Sequence, residues 1–186
     1  EKSPRQFDDI SGTESGTAQV QVSTLGGSTT ISSGVVIDCE GVAPRLRPRG
    51  SAINPRRLMW VNSAQVHVER IRDADLNMVE VFLGSAYAPG FFAWIIPWRD
   101  GSAKVGLAAR QGNPRQLLER FMTKHPLASR RLRGTHHHSA SFHPIPLGGP
   151  ISKTFYPGML LVGDSAQQVK PTTGGGIVFS LICGKA

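Results

Sequence analysis

Mixed α/β architecture follows from three features of this 186-residue chain. Its middle third carries four short apolar or alternating runs separated by turn signals, the pattern of an antiparallel sheet. Two brief unbroken apolar runs, at 34–38 and 159–162, suit strands buried on both faces, as in a parallel sheet flanked by helices. One helix start, at Asn113-Pro114, has both an N-cap residue and a proline at its first position. An apolar content of 39% excludes wholesale disorder, and 21 Gly with 13 Pro indicate many turns rather than a helical bundle.

Taken in order, residues 17–24 alternate Ala18, Val20 and Val22 with Thr17, Gln19 and Gln21, the period of a half-buried strand. Gly26-Gly27-Ser28 signals a turn, and extended structure resumes at 29–31. The run 34–38 ends in Asp38 and is followed by Gly41, and 41–57 holds prolines and arginines in what is expected to be a connecting loop. In the middle, 59–71 sets Val66 and Val68 on one face, and 78–83 alternates Val79, Val81 and Leu83 against Met78, Glu80 and Phe82. Residues 91–98 are aromatic and β-branched, and Asp100-Gly101 turns the chain back into 103–109. From Asn113 a helix is expected with Leu117, Leu118, Phe121 and Met122 as its apolar stripe and Pro126 as its exit. Residues 136–149 are expected to be extended or looped.

Charge and cysteine content narrow the function classes. The net charge is +8, concentrated at Arg45, Arg47, Arg49, Arg56 and Arg57 and again at Arg130, Arg131 and Arg133. Clustered arginines grip phosphates, although any one of them is more simply a solvated surface residue. A nucleic-acid-binding module is disfavoured, because the aromatics sit inside apolar runs instead of interleaving with arginine. Cys39 and Cys183 are too few for a disulfide scaffold and lack metal spacing, which fits a reducing, cytoplasmic setting. His136, His137, His138 and His143 point to alternate sides of an extended segment and are read as a loop, so no metal site is expected. The longest nearly apolar stretch, 88–98, is too short and too proline-broken to span a bilayer, and no leader pattern opens the chain. A first residue that is not Met and a chain that stops just inside a helix suggest a fragment.

The tail is the most informative stretch. Strand 159–162, Gly163-Asp164, a loop through Pro171, then Thr172-Thr173-Gly174-Gly175-Gly176 lead into 177–179, a helix start whose opening turn is expected to be made of glycines. Glycine at a helix start costs roughly 0.5–1 kcal/mol relative to alanine. Two readings fit: bare N–H groups at a helix N-terminus receiving a ligand's negative charge while Asp164 takes its hydroxyls, or a mobile glycine-rich loop before an ordinary helix.

The run LLVGDSAQQVKPTTGGGIVFSLICGKA, 160–186, resembles the second flavin-binding motif of the FAD-dependent geranylgeranyl reductase family, within the para-hydroxybenzoate-hydroxylase-like flavoproteins. APGFFAWIIP, 88–97, resembles the family's Pro-x-x-Tyr-x-Trp-x-Phe-Pro motif through Pro89, Trp94 and Pro97, with Phe92 in place of Tyr and Ile96 in place of Phe. VVIDCEGVAPRLR, 35–47, is a weaker match through Gly41 and Arg47, with Glu40 and Pro44 departing from the pattern.

The resemblance implies part of an FAD-binding Rossmann-like domain at 1–50 and 146–186, with an inserted antiparallel-sheet substrate domain at 51–145. It implies cofactor contacts at Gly163, Asp164, Pro171, Thr173, Gly174, Gly175, Gly176 and Ile177, and substrate contacts at Pro89, Phe92, Trp94 and Pro97. The helix dipole there would favour negative charge on reduced flavin. Phe91, Phe92, Trp94 and Trp98 would line an apolar tunnel.

The implied chemistry is saturation of polyprenyl double bonds in membrane-lipid biosynthesis, by hydride from reduced FAD with a proton added at the neighbouring carbon. Electrons would come from NAD(P)H or a ferredoxin-like protein, with peripheral membrane contact through the arginines and no nucleic-acid partner. No catalytic residue is assigned: Cys39, the histidines and water are equal candidates for the proton source. An aromatic hydroxylase of the same superfamily is the alternative activity, and a basic non-enzymatic binding module the alternative class. The strand–GxGxxG–helix unit that binds the ADP moiety is not found in the sequence, so the natural protein is expected to extend upstream, and the fragment alone to be inactive.

Overall fold

A computed structural model of the chain describes residues 6–12, 17–43, 46 and 59–185. It divides into two compact units, Glu1–Met59 with Pro146–Ala186, and Trp60–Ile145. The fold is mixed α/β, as the sequence indicates. Pro44 and the arginines at 45, 47, 49, 56 and 57, together with the loop expected over most of 41–57, lie outside the described residues.

The first unit holds two small sheets. Strands β1 (Gln6–Gly12), β2 (Ala18–Thr24) and β3 (Gly27–Ser33) form an antiparallel meander in that order. The alternation read from the sequence places Ala18, Val20 and Val22 in the core. The second sheet has β4 (Val36–Asp38), β10 (Phe155–Tyr156) and β11 (Met159–Leu161) in the order β10-β11-β4, with β11 parallel to β4. Val20, Val22, Leu46, Met159, Leu161 and Ala166 pack as the core of this unit.

The two unbroken apolar runs pair in parallel with each other, but they are not buried on both faces as expected. Ile37 and Leu160, partners across the ladder, are 60% and 42% exposed, while Asp38 and Leu161 are buried. A two-faced apolar strand needs cover on both sides, and within this unit the described residues cover only one.

The second unit is a five-stranded antiparallel sheet. Its strands are β5 (Trp60–Val68), β6 (Glu80–Leu83), β7 (Phe92–Pro97), β8 (Ala103–Ala109) and β9 (Ser141–Pro146), in the order β6-β7-β8-β5-β9. Helices α1 (Pro114–Lys124) and α2 (Pro126–Arg131) pack on one face. Leu118, Phe121, Ala128 and Leu132 meet Val66, Val105, Leu107 and Ile95 there. The β7–β8 turn forms at Asp100-Gly101: Gly101 takes φ +85°, and Asp100 Oδ1 accepts from Ser102 N (2.9 Å) and Ser102 Oγ (2.6 Å). Asn113 caps α1 through its Oδ1, 3.0 Å from Arg115 N.

Three details are added here by the fold. Pro126 ends α1 but also opens α2, whose N-cap is His125: its Nδ1 lies 3.3 Å from both Leu127 N and Ala128 N. In β6 the inward residues are Phe82 and Glu80, while Val79, Val81 and Leu83 face outward, Leu83 at 83% exposure. The period of two is obeyed, but Phe82 fills the space between Phe121 and His125 (5.0 and 4.9 Å between ring centroids), and that packing selects the face. The histidine run is not a free loop: His137 bridges Val68 and His138 N donates to His67 O (3.0 Å), continuing β9's side of the sheet.

Candidate functional site

Two places bring the singled-out residues together, one in each unit. In the first, β11 leads directly into a single 3-10 turn, Gly163–Ala166. Val162 N donates to Asp38 O (3.0 Å), and Ser165 Oγ lies 2.9 Å from Asp38 O and 2.8 Å from Val162 O, so one buried hydroxyl ties the turn to both parallel strands. Gly163 takes φ +75°, a conformation that disfavours any side chain. Its N–H donates to Gln168 Oε1 (2.8 Å) and its carbonyl accepts from Gln168 N (3.0 Å), closing the loop on itself.

The glycines come next. Gly174 N donates to Lys170 O (2.8 Å), and Lys170 N to Gly175 O (3.0 Å). Helix α3 (Ile177–Lys185) therefore begins after the three glycines, not within them, and its first ladder bond runs from Ser180 N to Gly176 O (2.8 Å). The glycines are needed by a tight turn and a close approach: Gly174 has φ +67°, and a Cβ on Gly176 would stand 3.2 Å from Asp164 Oδ1.

Asp164 and the start of α3 are thus side by side. The first N–H groups of a helix have no intrahelical acceptor and carry the positive end of its dipole. Burial pushes the Asp164 carboxyl above its ordinary range, an electrostatic penalty that a hydroxyl donor would relieve. Of the other residues expected at this place, Pro171, Thr173, Gly175 and Ile177 are exposed, and Gly174 is half-buried. Such a surface suits a ligand with hydroxyls and a group that accepts negative charge, which fits a flavin.

The second place is the face of the five-stranded sheet opposite the helices. Alternation puts Phe92, Trp94 and Ile96 of β7 there, half-buried, beside Val81 and Leu83 of β6. Phe91 and Phe92 stack at 4.3 Å, and Phe92 meets Trp94 edge-on at 5.9 Å. Trp94 pairs with Gly106 of β8, and its indole lies over that glycine. Farther along, Trp98 and His67 contact at 5.0 Å, with Lys104 Nζ 5.7 Å from the Trp98 ring. Pro89 acts through its backbone, accepting from Arg110 N (2.9 Å), and Pro97 ends β7.

Other singled-out residues fall elsewhere. Arg131 is not part of a basic patch: it pairs with Glu80 at 2.7 Å, leaving Arg130 and Arg133 exposed. Cys39 is exposed just past β4, and Glu40 Oε2 accepts from Leu46 N (2.9 Å). Among the described residues, no group of three or more His, Cys, Asp or Glu could hold a metal ion, and no helix is long and apolar enough to cross a membrane.

Comparison with known proteins defines first the class. The chain superposes on a geranylgeranyl bacteriochlorophyll reductase-like protein from Thermoplasma acidophilum with a TM-score of 0.81 at 21% identity, over 97% of this chain and 46% of that one. A flavoprotein/dehydrogenase from Cytophaga hutchinsonii follows with a TM-score of 0.69 at 18% identity, again over 97% and 46%. The fold is that of these flavoproteins.

Sequence comparison then adds a catalytic-domain segment and curated relatives. Residues 61–136 match the geranylgeranyl reductase catalytic domain. A digeranylgeranylglycerophospholipid reductase of Methanocaldococcus jannaschii is 34% identical over 168 residues, covering 89% of this chain and 42% of that protein. Residues 61–136 are thus similar to the geranylgeranyl reductase catalytic domain, and the chain spans about two fifths of the length of the curated relatives it matches.

Proposed function

We propose that the protein carrying this chain is an FAD-dependent reductase that saturates carbon–carbon double bonds of geranylgeranyl or related polyprenyl chains in membrane-lipid biosynthesis. The observation that carries this reading is the apolar sheet face bearing Phe92 and Trp94 inside the segment that matches the reductase catalytic domain. A prenyl chain offers no hydrogen-bonding groups, so its site needs shape and apolar area, which that face supplies.

Gly163, Asp164, Gly174, Gly176 and the opening N–H groups of α3 would hold the flavin, with Pro171, Thr173, Gly175 and Ile177 around them. When bound, the cofactor would supply hydride for one alkene carbon, with a proton added at its neighbour. The chain's own residues do the rest: Asp164 accepts hydrogen bonds from hydroxyls, the start of α3 favours negative charge, and the sheet face orients an apolar chain and excludes water. Electrons enter from a nicotinamide or a ferredoxin-like protein, and a lipid substrate requires contact with the membrane surface.

The test uses the full-length flavoprotein, reduced anaerobically and mixed with a geranylgeranyl lipid. Mass spectrometry is expected to show two hydrogens gained per double bond, together with reoxidation of the flavin. Unchanged lipid, with oxygen-dependent hydroxylation of aromatic compounds instead, would replace this reading with the hydroxylase one.

A further inference from the structure

Gly106 is the residue of the central strand β8 whose identity the backbone does not explain. It lies mid-strand with no positive φ, where glycine weakens a sheet and other residues are accommodated. The reason is the indole of Trp94: a Cβ at position 106 would stand 2.6 Å from Trp94 Cζ2, 2.7 Å from Cε2 and 2.8 Å from Nε1. Those distances lie inside van der Waals contact, and the obstruction is a rigid ring rather than the tip of a flexible chain. Trp94 Nε1 is itself buried with no hydrogen-bond partner among the described residues, so the ring is held by packing, not by a polar anchor.

From this geometry we infer that Gly106 is a specificity-determining residue: it lets Trp94 lie close against the sheet and so keeps the apolar face continuous from β6 across β7 to β8. The inference rests on the reading under Proposed function. Strands β6, β7 and β8 at about 4.8 Å spacing make a track roughly 10 Å across. With the indole close over Gly106, the track is uninterrupted from Leu83 and Val81, past Phe92 and Trp94, to Gly106, and polar Gln65 of β5, the partner of Gly106, borders it. A side chain at 106 lifts the indole into a bar across the β8 end. A short prenyl chain still fits on one side of that bar, and a long one no longer crosses it.

The experiment uses the full-length protein labelled with 5-fluorotryptophan, with the Trp94 signal assigned by Trp94→Phe. Variants Gly106→Ala, Trp94→Phe and the double variant are titrated with geraniol and with geranylgeraniol, and thermal unfolding is followed for each. Gly106→Ala is expected to shift the Trp94 fluorine resonance and to weaken geranylgeraniol binding about tenfold, with geraniol binding changed less than about threefold. The smaller ring of Trp94→Phe relieves the obstruction, so adding Gly106→Ala to it is expected to change binding less than about threefold. If Gly106→Ala unfolds, rescue of both folding and chain-length preference in the double variant carries the same conclusion. An unshifted Trp94 resonance, equal weakening for both alcohols, or simply additive effects of the two substitutions would overturn the inference. A parent protein that binds neither alcohol would overturn the proposed function and this inference with it, whereas a parent that binds both with variants unchanged overturns this inference alone.

Discussion

The Arg131–Glu80 pair gives the sharpest energetic prediction, because a residue that looks like part of a basic cluster in the sequence is an interior staple in the fold. Arg131 Nη2 stands 2.7 Å from Glu80 Oε1, with the two side chains 13% and 22% exposed, and its Nη1 also donates to Arg72 O (3.3 Å). Together they tie the end of α2 to edge strand β6. Breaking a fully buried pair by removing one partner costs roughly 3–5 kcal/mol, because the remaining charge is stranded. Both groups here keep some water, so Glu80→Gln is expected to cost about 1–3 kcal/mol. For a unit of this size that lowers the melting temperature by about 4–8 °C per kcal/mol. The apolar double variant, Glu80→Leu with Arg131→Met, leaves no stranded charge and is expected to lie within about 1 kcal/mol of the parent. Chemical denaturation of the parent, Glu80→Leu, Arg131→Met and the double variant, with Glu80→Gln beside them, in low and high salt, measures this. A Glu80→Gln variant as stable as the parent, or a double variant that merely sums the two single losses, would refute the argument that this arginine is internally paired.

Asp164 should show opposite effects on stability and on ligand. Its folded-state pKa is raised by burial, so the folded chain holds its proton more tightly than the unfolded chain, and stability falls as pH rises through the window above the ordinary value of 3.8. Asp164→Asn is therefore expected to raise thermal stability at neutral pH and to lose that advantage in acid, while weakening flavin binding in the full-length protein about tenfold, as loss of a charge-assisted hydrogen bond would. Asp100 has the reverse sign: hydrogen bonds from Ser102 lower its pKa, so the β7–β8 turn gains stability above 3.8 and loses it as pH falls through the folded value. Hydrogen exchange at Gly101 and Ser102 across that window checks the direction, and Ser102→Ala should flatten it. Asn113→Ala removes the α1 cap and should cost about 1 kcal/mol by denaturant titration.

Much of this fold is legible because its signals are local. Asn113-Pro114, Asp100-Gly101 and the alternation of Ala18, Val20 and Val22 each report on neighbours a few residues away, and each element stands where those signals put it. Features decided at long range are not. Strand β6 is apolar on both alternating faces, so only the space between Phe121 and His125 selects Phe82 for the interior. The partner of Arg131 lies 51 residues earlier in the chain. Helix α2 hides because histidine is an unusual N-cap and Pro126 serves both as a stop and as a start. Strand β9 is left open between extended and looped chain by Pro144 and Pro146, which a sheet tolerates at an edge, where β9 sits.

The candidate site divides the same way. Gly163-Asp164 and the glycine run stand out in the sequence through their composition, and the fold brings Asp164 against Gly176. Trp94 stands out through its motif. Gly106, twelve residues on, carries no local signal at all, because its role exists only in the pairing of β7 with β8.

The central claim is that the sheet face carrying Phe92 and Trp94 receives a prenyl chain. A geranylgeranyl lipid bearing a diazirine on its chain, photolysed with the reduced full-length protein and mapped by peptide mass spectrometry, tests it most directly. Labels on β6, β7 and β8, competed away by unmodified lipid and redistributed by Trp94→Ala, are the predicted outcome. Labels confined to the helix-covered side of that sheet, or left unaffected by excess unmodified lipid, would contradict it.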